Sequence, residues 1–244
     1  MGWPKSQVAS VSKTGPWFPT RCGRIPPLVS PWQFAIGFAV YSQAVSATDD
    51  SRAWKLVAPH CDIEERVRCV PPSAQVRGLW YKAMLGVLRQ SDKLEEYREY
   101  FPDDRWSMLS YYPLTSYMLR VAVAGAIISS PSELHQGMHH AMRLNSTTFA
   151  STILGRALFR ILAKDPIRLT EQAMAARRQA MSYGEWSIVS RGPRHIETLY
   201  RGEYLWIESA IAGAAVGTFD ACNLVATVET RLDDRFNGST LITW

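Results

Sequence analysis

Cysteine is scarce and unpatterned here. Cys22, Cys61, Cys69 and Cys222 are the only four in 244 residues. None forms a C-x-x-C pair, which excludes zinc ribbons and thioredoxin-like redox motifs. Scattered thiols in a chain this long fit a reducing, cytoplasmic compartment, and a Cys61–Cys69 bridge is expected only after export. There is no G-x-S-x-G elbow, no Walker loop and no G-x-G-x-x-G turn. Nucleophile, phosphate cradle and dinucleotide fingerprint are therefore all missing. Long apolar runs are absent too. The best two, Trp32 to Val45 and Leu114 to Ile128, fall short of the ~20 residues that cross a bilayer.

Charge of one sign is also lacking. The net charge is +5, from 27 basic and 22 acidic residues. Basic and acidic residues number 8 and 5 over 1–75, 7 and 6 over 76–130, 7 and 4 over 131–190, and 5 and 7 over 191–244. No segment holds the clustered excess that phosphate contacts need, so no nucleic-acid partner is expected.

What is present is a globular composition, 47% apolar and 20% charged, able to bury a core. The first 58 residues stand apart. They carry four of the nine tryptophans (Trp3, Trp17, Trp32, Trp54) and the prolines Pro4, Pro16, Pro19, Pro26, Pro27 and Pro31. No helical or strand period survives that proline density before Trp32. A poorly ordered extension over 1–58 and a single domain over 59–244 are the expected organisation.

Beyond Pro71-Pro72 the periods are helical. Val76 to Gln90 places Leu79, Trp80, Met84, Val87 and Leu88 on one stripe. Lys93 to Tyr100 reads as a short charged helix. Leu114 to Ile128 is apolar enough for full burial, with Arg120 its only charge. Ser130 and Glu133 hold capping-box positions before a helix to about Arg143, and Asn145 to Leu162 reads as another. Asp165-Pro166 opens the last of the block. From Glu185 the period becomes two. Trp186 to Val189 and His195 to Tyr200 flank the turn Arg191-Gly192-Pro193-Arg194, a hairpin signal. A helix over Tyr204 to Asp220 precedes strands over Leu224 to Leu232 and Ser239 to Trp244. The fold class is α+β: an N-terminal helical block, then a β-β-α-β-β antiparallel sheet. Gly213 and Gly217 are expected to pack their helix closely on that sheet.

The ordered segments Val76-Arg77-Gly78-Leu79-Trp80, Tyr111-Tyr112-Pro113, Thr148-Phe149, Leu154-Gly155-Arg156-Ala157-Leu158-Phe159, Ser182-Tyr183-Gly184 and Leu241-Ile242-Thr243-Trp244 resemble a paralogous family of domains of unknown function expanded in myxobacteria. The helical block followed by β-β-α-β-β is similar to a superfamily of heme–nitric-oxide-binding domains, four-vinyl-reductase domains and vesicle-tethering subunits. That resemblance implies a regulatory or sensory module holding a small apolar or acidic ligand between helices and sheet. A homodimeric protein-interaction or scaffold subunit is the alternative, and a reductase-like enzyme the third. Heme-binding relatives carry Tyr-x-Ser-x-Arg. Tyr117-Met118-Leu119-Arg120 is not that string, so heme is not expected and no cofactor is assigned. Cys222 stands where four-vinyl-reductase relatives often carry a cysteine, but Asn237 to Trp244 has no second one, so no zinc site is expected.

Among individual residues, Arg156 follows Gly155 in a mostly apolar run and would need an anionic partner if buried. Arg77 and Arg120 are weaker candidates of the same kind. The ligand site is placed between helices and sheet, lined by Leu119, Val123, Phe149, Ile153 and Trp206, with Arg156 as polar anchor. His135 and His139 share a helix face at metal-ligand spacing, but Gln136 replaces the glutamate a metalloprotease needs. A solvated face is the expected role, and an exposed strand position is expected for His195. No catalytic residue is assigned.

Overall fold

A computed structural model describes residues 47–103, 105–151 and 165–244. The chain opens with α1 (Ala47–Val57), α2 (Ile63–Cys69) and a short strand β1 (Gln75–Arg77). Helices α3 (Gly78–Gln90) and α4 (Leu94–Arg98) follow, then β2 (Tyr111–Pro113), which pairs antiparallel with β1. Next come α5 (Leu114–Ile128), α6 (Leu134–Ser151) and α7 (Pro166–Ala180). The remainder is β3 (Glu185–Gly192), β4 (His195–Arg201), α8 (Ala212–Asp220), β5 (Thr227–Leu232) and β6 (Gly238–Thr243). These four strands form one antiparallel sheet in the order β3-β4-β6-β5.

The expected α+β class and the β-β-α-β-β tail are thus present. Helix α5 has the bounds its apolar run predicts, and twelve of its fifteen residues are buried. It is the axis of the core, touching α1, α2, α3, α4, α6 and both short strands. The caps follow the sequence as well. Ser130 Oγ accepts from the Glu133 N–H, and the Asp165 carboxylate accepts from the Arg168 N–H with Pro166 in the first turn. Such side-chain acceptors satisfy donors that a helix start leaves open.

Four features differ from expectation. The boundary expected at residue 58 falls after a helix that packs on the core. Ala53 and Val57 of α1 are fully buried, Trp54 and Leu56 lie against the same core, and the compact unit begins at Ser46. The proline-rich residues before 47 lie outside the described residues. The helix expected from Val76 starts at Gly78, because Val76 is claimed by a strand pairing with Tyr112. The break expected near Arg143 is absent, and α6 runs on through Asn145. There the weak helix propensity of asparagine is overridden by packing: Gly213 and Gly217 bring α8 against the main chain of α6 at His139 and Arg143. Those two glycines therefore serve a helix–helix contact, not a helix–sheet one. A Cβ on Gly137 would likewise strike the Gly125 carbonyl, so α5 and α6 also close backbone to backbone. Cys61 is a free thiol and forms no bridge to Cys69.

Candidate functional site

Of the six residues expected to line a ligand site, Leu119, Val123 and Trp206 are in the main core, at 3%, 0% and 0% exposure. Arg156 and Ile153 lie outside the described residues. Phe149 is on α6, and its side chain is likewise not described. Trp206 is already engaged. Its indole N–H donates to Asp62 Oδ1 at 2.8 Å and the Arg66 guanidinium lies 5.2 Å over its ring.

Three arginines among the described residues are almost wholly buried, and their surroundings differ. A buried charge is tolerated when it is paired and hydrogen-bonded. Arg66 (2% exposed) meets Asp62 through Nε at 2.8 Å and donates through Nη1 to main-chain carbonyls of Tyr204 and Arg235. Burial alone would raise the Asp62 carboxyl. Arg66, the Trp206 N–H and Arg235 outweigh that and hold it below the usual carboxylate range. Arg177 (3% exposed) donates to Glu203 Oε2 at 3.0 Å and to the Gly184 carbonyl. Glu203 is fully buried and also accepts from the Trp186 indole and the Leu205 N–H. Both clusters hold an ion pair that ties the tail to the helical block, although Arg177 Nε, like that of Arg120, is buried without a partner.

Arg120 is the exception. It is 6% exposed, and its one hydrogen bond runs from Nη1 to Ser116 Oγ at 2.9 Å. Among the described residues no carboxylate pairs with it, and its Nε is buried without a partner. Aromatic rings surround it instead. The guanidinium carbon lies 4.0 Å from the Phe101 centroid, 4.9 Å from Trp106 and 5.8 Å from Tyr81. The Tyr81 hydroxyl donates to the Pro113 carbonyl at 3.0 Å. Tyr117, one turn before Arg120, has its ring 5.1 Å from Tyr81 and a buried hydroxyl with no partner. Burial pushes the hydroxyls of Tyr81, Tyr97 and Tyr117 far above their ordinary range. They stay neutral, so no phenolate supplies the missing negative charge.

The local fold explains how these side chains meet. Tyr81 stands on α3, Ser116, Tyr117 and Arg120 on one face of α5, and Phe101 and Trp106 on the connection from α4 to β2. The β1–β2 pairing draws that connection across α3 and α5: the Gly78 N–H donates to Ser110 O and the Leu79 N–H to Met108 O. Sequence reasoning singles out Arg120 as the one charge in an apolar run. It gives no sign that Tyr81, Phe101 and Trp106 converge on it. The arrangement offers a desolvated cation with donors to spare, and it holds no nucleophile beside a base.

The histidines lie in different surroundings among the described residues. His135 Nδ1 lies 3.3 Å from Ser209 Oγ and 3.9 Å from the Glu208 carboxylate. Burial, with Arg143 and His140, holds His139 below the ordinary imidazole range. His195 is half-buried beside Ser190 Oγ, which corrects the exposed position expected for it. No group of three histidine, cysteine or acidic side chains is poised for a metal among the described residues. No helix among them is long and apolar enough to cross a membrane.

Known proteins supply the context. A family model described as protein of unknown function (DUF2378) matches residues 70–240. No curated protein matches. Among solved structures, the crystal structure of an Fe(II) unliganded H-NOX protein from K. algicida is similar at TM-score 0.52 and 12% identity. The comparison covers 68% of this chain and 95% of that one. A point mutant of that same H-NOX protein is similar at TM-score 0.53 and 12% identity, over the same shares. At that identity the fold is shared and nothing finer follows. In this chain α5, α6 and α8 meet backbone to backbone at Gly125, Gly137, Gly213 and Gly217.

Proposed function

The chain belongs to the DUF2378 family of proteins of unknown function, and on that footing we propose that it is a non-catalytic sensory module with an H-NOX-like fold. Its ligand is a small acid held by Arg120. One observation carries this reading: a guanidinium 6% exposed, bonded among the described residues only to Ser116 and faced by neutral rings. Burying an ion costs several kcal/mol after relaxation. Cation–π contacts return about 2 kcal/mol when desolvated, so the charge is left under-compensated until an anion arrives. Arg156, outside the described residues, yields the anchoring role to Arg120 in this reading. The test is thermal unfolding of the full chain with acetate, benzoate and inorganic phosphate, beside Arg120→Met. At least one anion should raise the transition of the parent and leave that of Arg120→Met unmoved. Equal shifts in both proteins, or none in either, would exclude Arg120 as the receptor.

A second reading, a protein-interaction subunit, is favoured by the exposure of Met108, Leu109 and Tyr111 at 47%, 77% and 39%. Sedimentation of the parent against Leu109→Glu addresses it. A loss of self-association in the variant supports it, and identical monomers count against self-association.

A further inference from the structure

We propose that Trp106 is a built-in plug for the Arg120 site, and that the ligand is an aromatic monocarboxylate whose ring takes the place of the indole. This inference rests on Arg120 being an anion receptor. It adds which acid is taken and what guards the entrance.

The acid follows from the free edge of the guanidinium. Nη1 is committed to Ser116. Nε is buried without a partner, and Nη2 makes no hydrogen bond to the described residues. Nε and Nη2 are the two donors that point the same way, and together they match the two oxygens of a planar carboxylate. The unpartnered Tyr117 hydroxyl, on the same face of α5, is a further donor in the cluster. No second buried cation joins these groups among the described residues, so one negative charge balances the site. A dianionic phosphate would leave excess charge in an apolar wall.

The body of the ligand follows from the rings. The Trp106 indole stacks on Tyr81 with centroids 4.1 Å apart and planes 23° apart. It meets Tyr112 edge-on at 4.7 Å and lies 4.9 Å from the Arg120 guanidinium. That slot fits any flat ring of similar size. The indole N–H makes no hydrogen bond among the described residues, so stacking and burial alone hold the ring. Tyr81 and Arg120 stand on long helices. Trp106 stands on a connection without helix or strand, between the exposed Arg105 and the exposed Ser107, Met108 and Leu109. Rotation of one side chain therefore exchanges indole for ligand while the receptor groups stay in place.

The experiment titrates the full chain with benzoate, benzamide and acetate by calorimetry, in the parent, Trp106→Ala, Arg120→Met and the double variant. Trp106→Ala should bind benzoate at least about tenfold tighter than the parent. It should leave acetate affinity unchanged, since acetate has no ring to place. Benzamide should bind at least about tenfold more weakly than benzoate, and the double variant should bind neither. Equal benzoate affinity in the parent and Trp106→Ala overturns the plug. Equal affinity for benzoate and benzamide overturns the carboxylate edge. If neither benzoate nor acetate binds any of the proteins, the anion reading itself fails, an outcome distinct from the other two. Trp106→Leu keeps an apolar side chain over Tyr81. Should Trp106→Ala unfold, it carries the same expectation and the same refutation.

Discussion

Arg120 and Arg177 are both buried arginines, and replacing each by methionine should have opposite consequences. Arg177→Met removes the cation from a pair with Glu203, which is fully buried. The carboxylate keeps the Trp186 and Leu205 donors but loses its counter-charge. Breaking a buried pair in this way costs about 3–5 kcal/mol. Arg120→Met removes a charge that no carboxylate among the described residues balances. The loss is one hydrogen bond to a charged group, about 1.5–3 kcal/mol, and ring contacts of about 2 kcal/mol. The gain is relief from a desolvation penalty of several kcal/mol. The terms nearly cancel, so the ligand-free variant should stay within about 1 kcal/mol of the parent or exceed it. Urea unfolding at neutral pH reads the difference as a shift in midpoint at unchanged slope. For a domain of this size, 3 kcal/mol corresponds to about 6–12 °C in the thermal midpoint. If Arg120→Met falls as far as Arg177→Met, Arg120 has a structural counter-charge and the receptor reading collapses.

Three further outcomes are expected. A chain starting at Pro59 loses the buried Ala53 and Val57 and the packing of Trp54 and Leu56, about 5 kcal/mol of apolar burial, a large share of ordinary stability. It should melt far below the parent or without cooperativity, as circular dichroism would show, and a melt equal to the parent's would refute the role of α1 in the core. Asp62 is held below the usual carboxylate range once folded, so its stabilisation is full above about pH 4 and is lost as pH falls through the depressed value. The gap in stability between parent and Asp62→Asn should therefore be constant from pH 5 to 8 and shrink in acid. A gap that instead closes toward pH 8 would contradict the Arg66–Asp62 pairing. Burial pushes the Cys61 and Cys222 thiols up to about 11. Iodoacetamide at pH 8 should modify both far more slowly in the native protein than in urea, and comparable rates would refute their protected state.

The elements most legible from sequence are those whose signal is local. The apolar run after Pro113 marks α5 at both ends, and alternation with a two-residue turn marks the β3–β4 hairpin, whose register closes at Gly192 and His195. The β1–β2 pairing is hidden because three-residue strands carry no period, and Val76 meets Tyr112 only through the folding of everything between them. Helix α1 is hidden because its buried face is a few residues wide in a polar stretch. The site is half legible. An arginine inside a buried helix is visible as an anomaly, so Arg120 can be named. Its lack of a carboxylate is a fact of packing. Tyr81, Phe101 and Trp106 reach it from two other parts of the chain, and residue spacing encodes none of that convergence.

The most direct test follows the Nε–H resonance of Arg120 by 15N-edited NMR, assigned by its loss in Arg120→Met, while benzoate is added to the full chain. Carboxylate binding at the free Nε–Nη2 edge predicts a saturable downfield shift of that proton, with the side-chain resonances of Arg66 and Arg177 unmoved. An Arg120 resonance that stays in place while benzoate binds, or shifts no more than the two paired arginines, would contradict it.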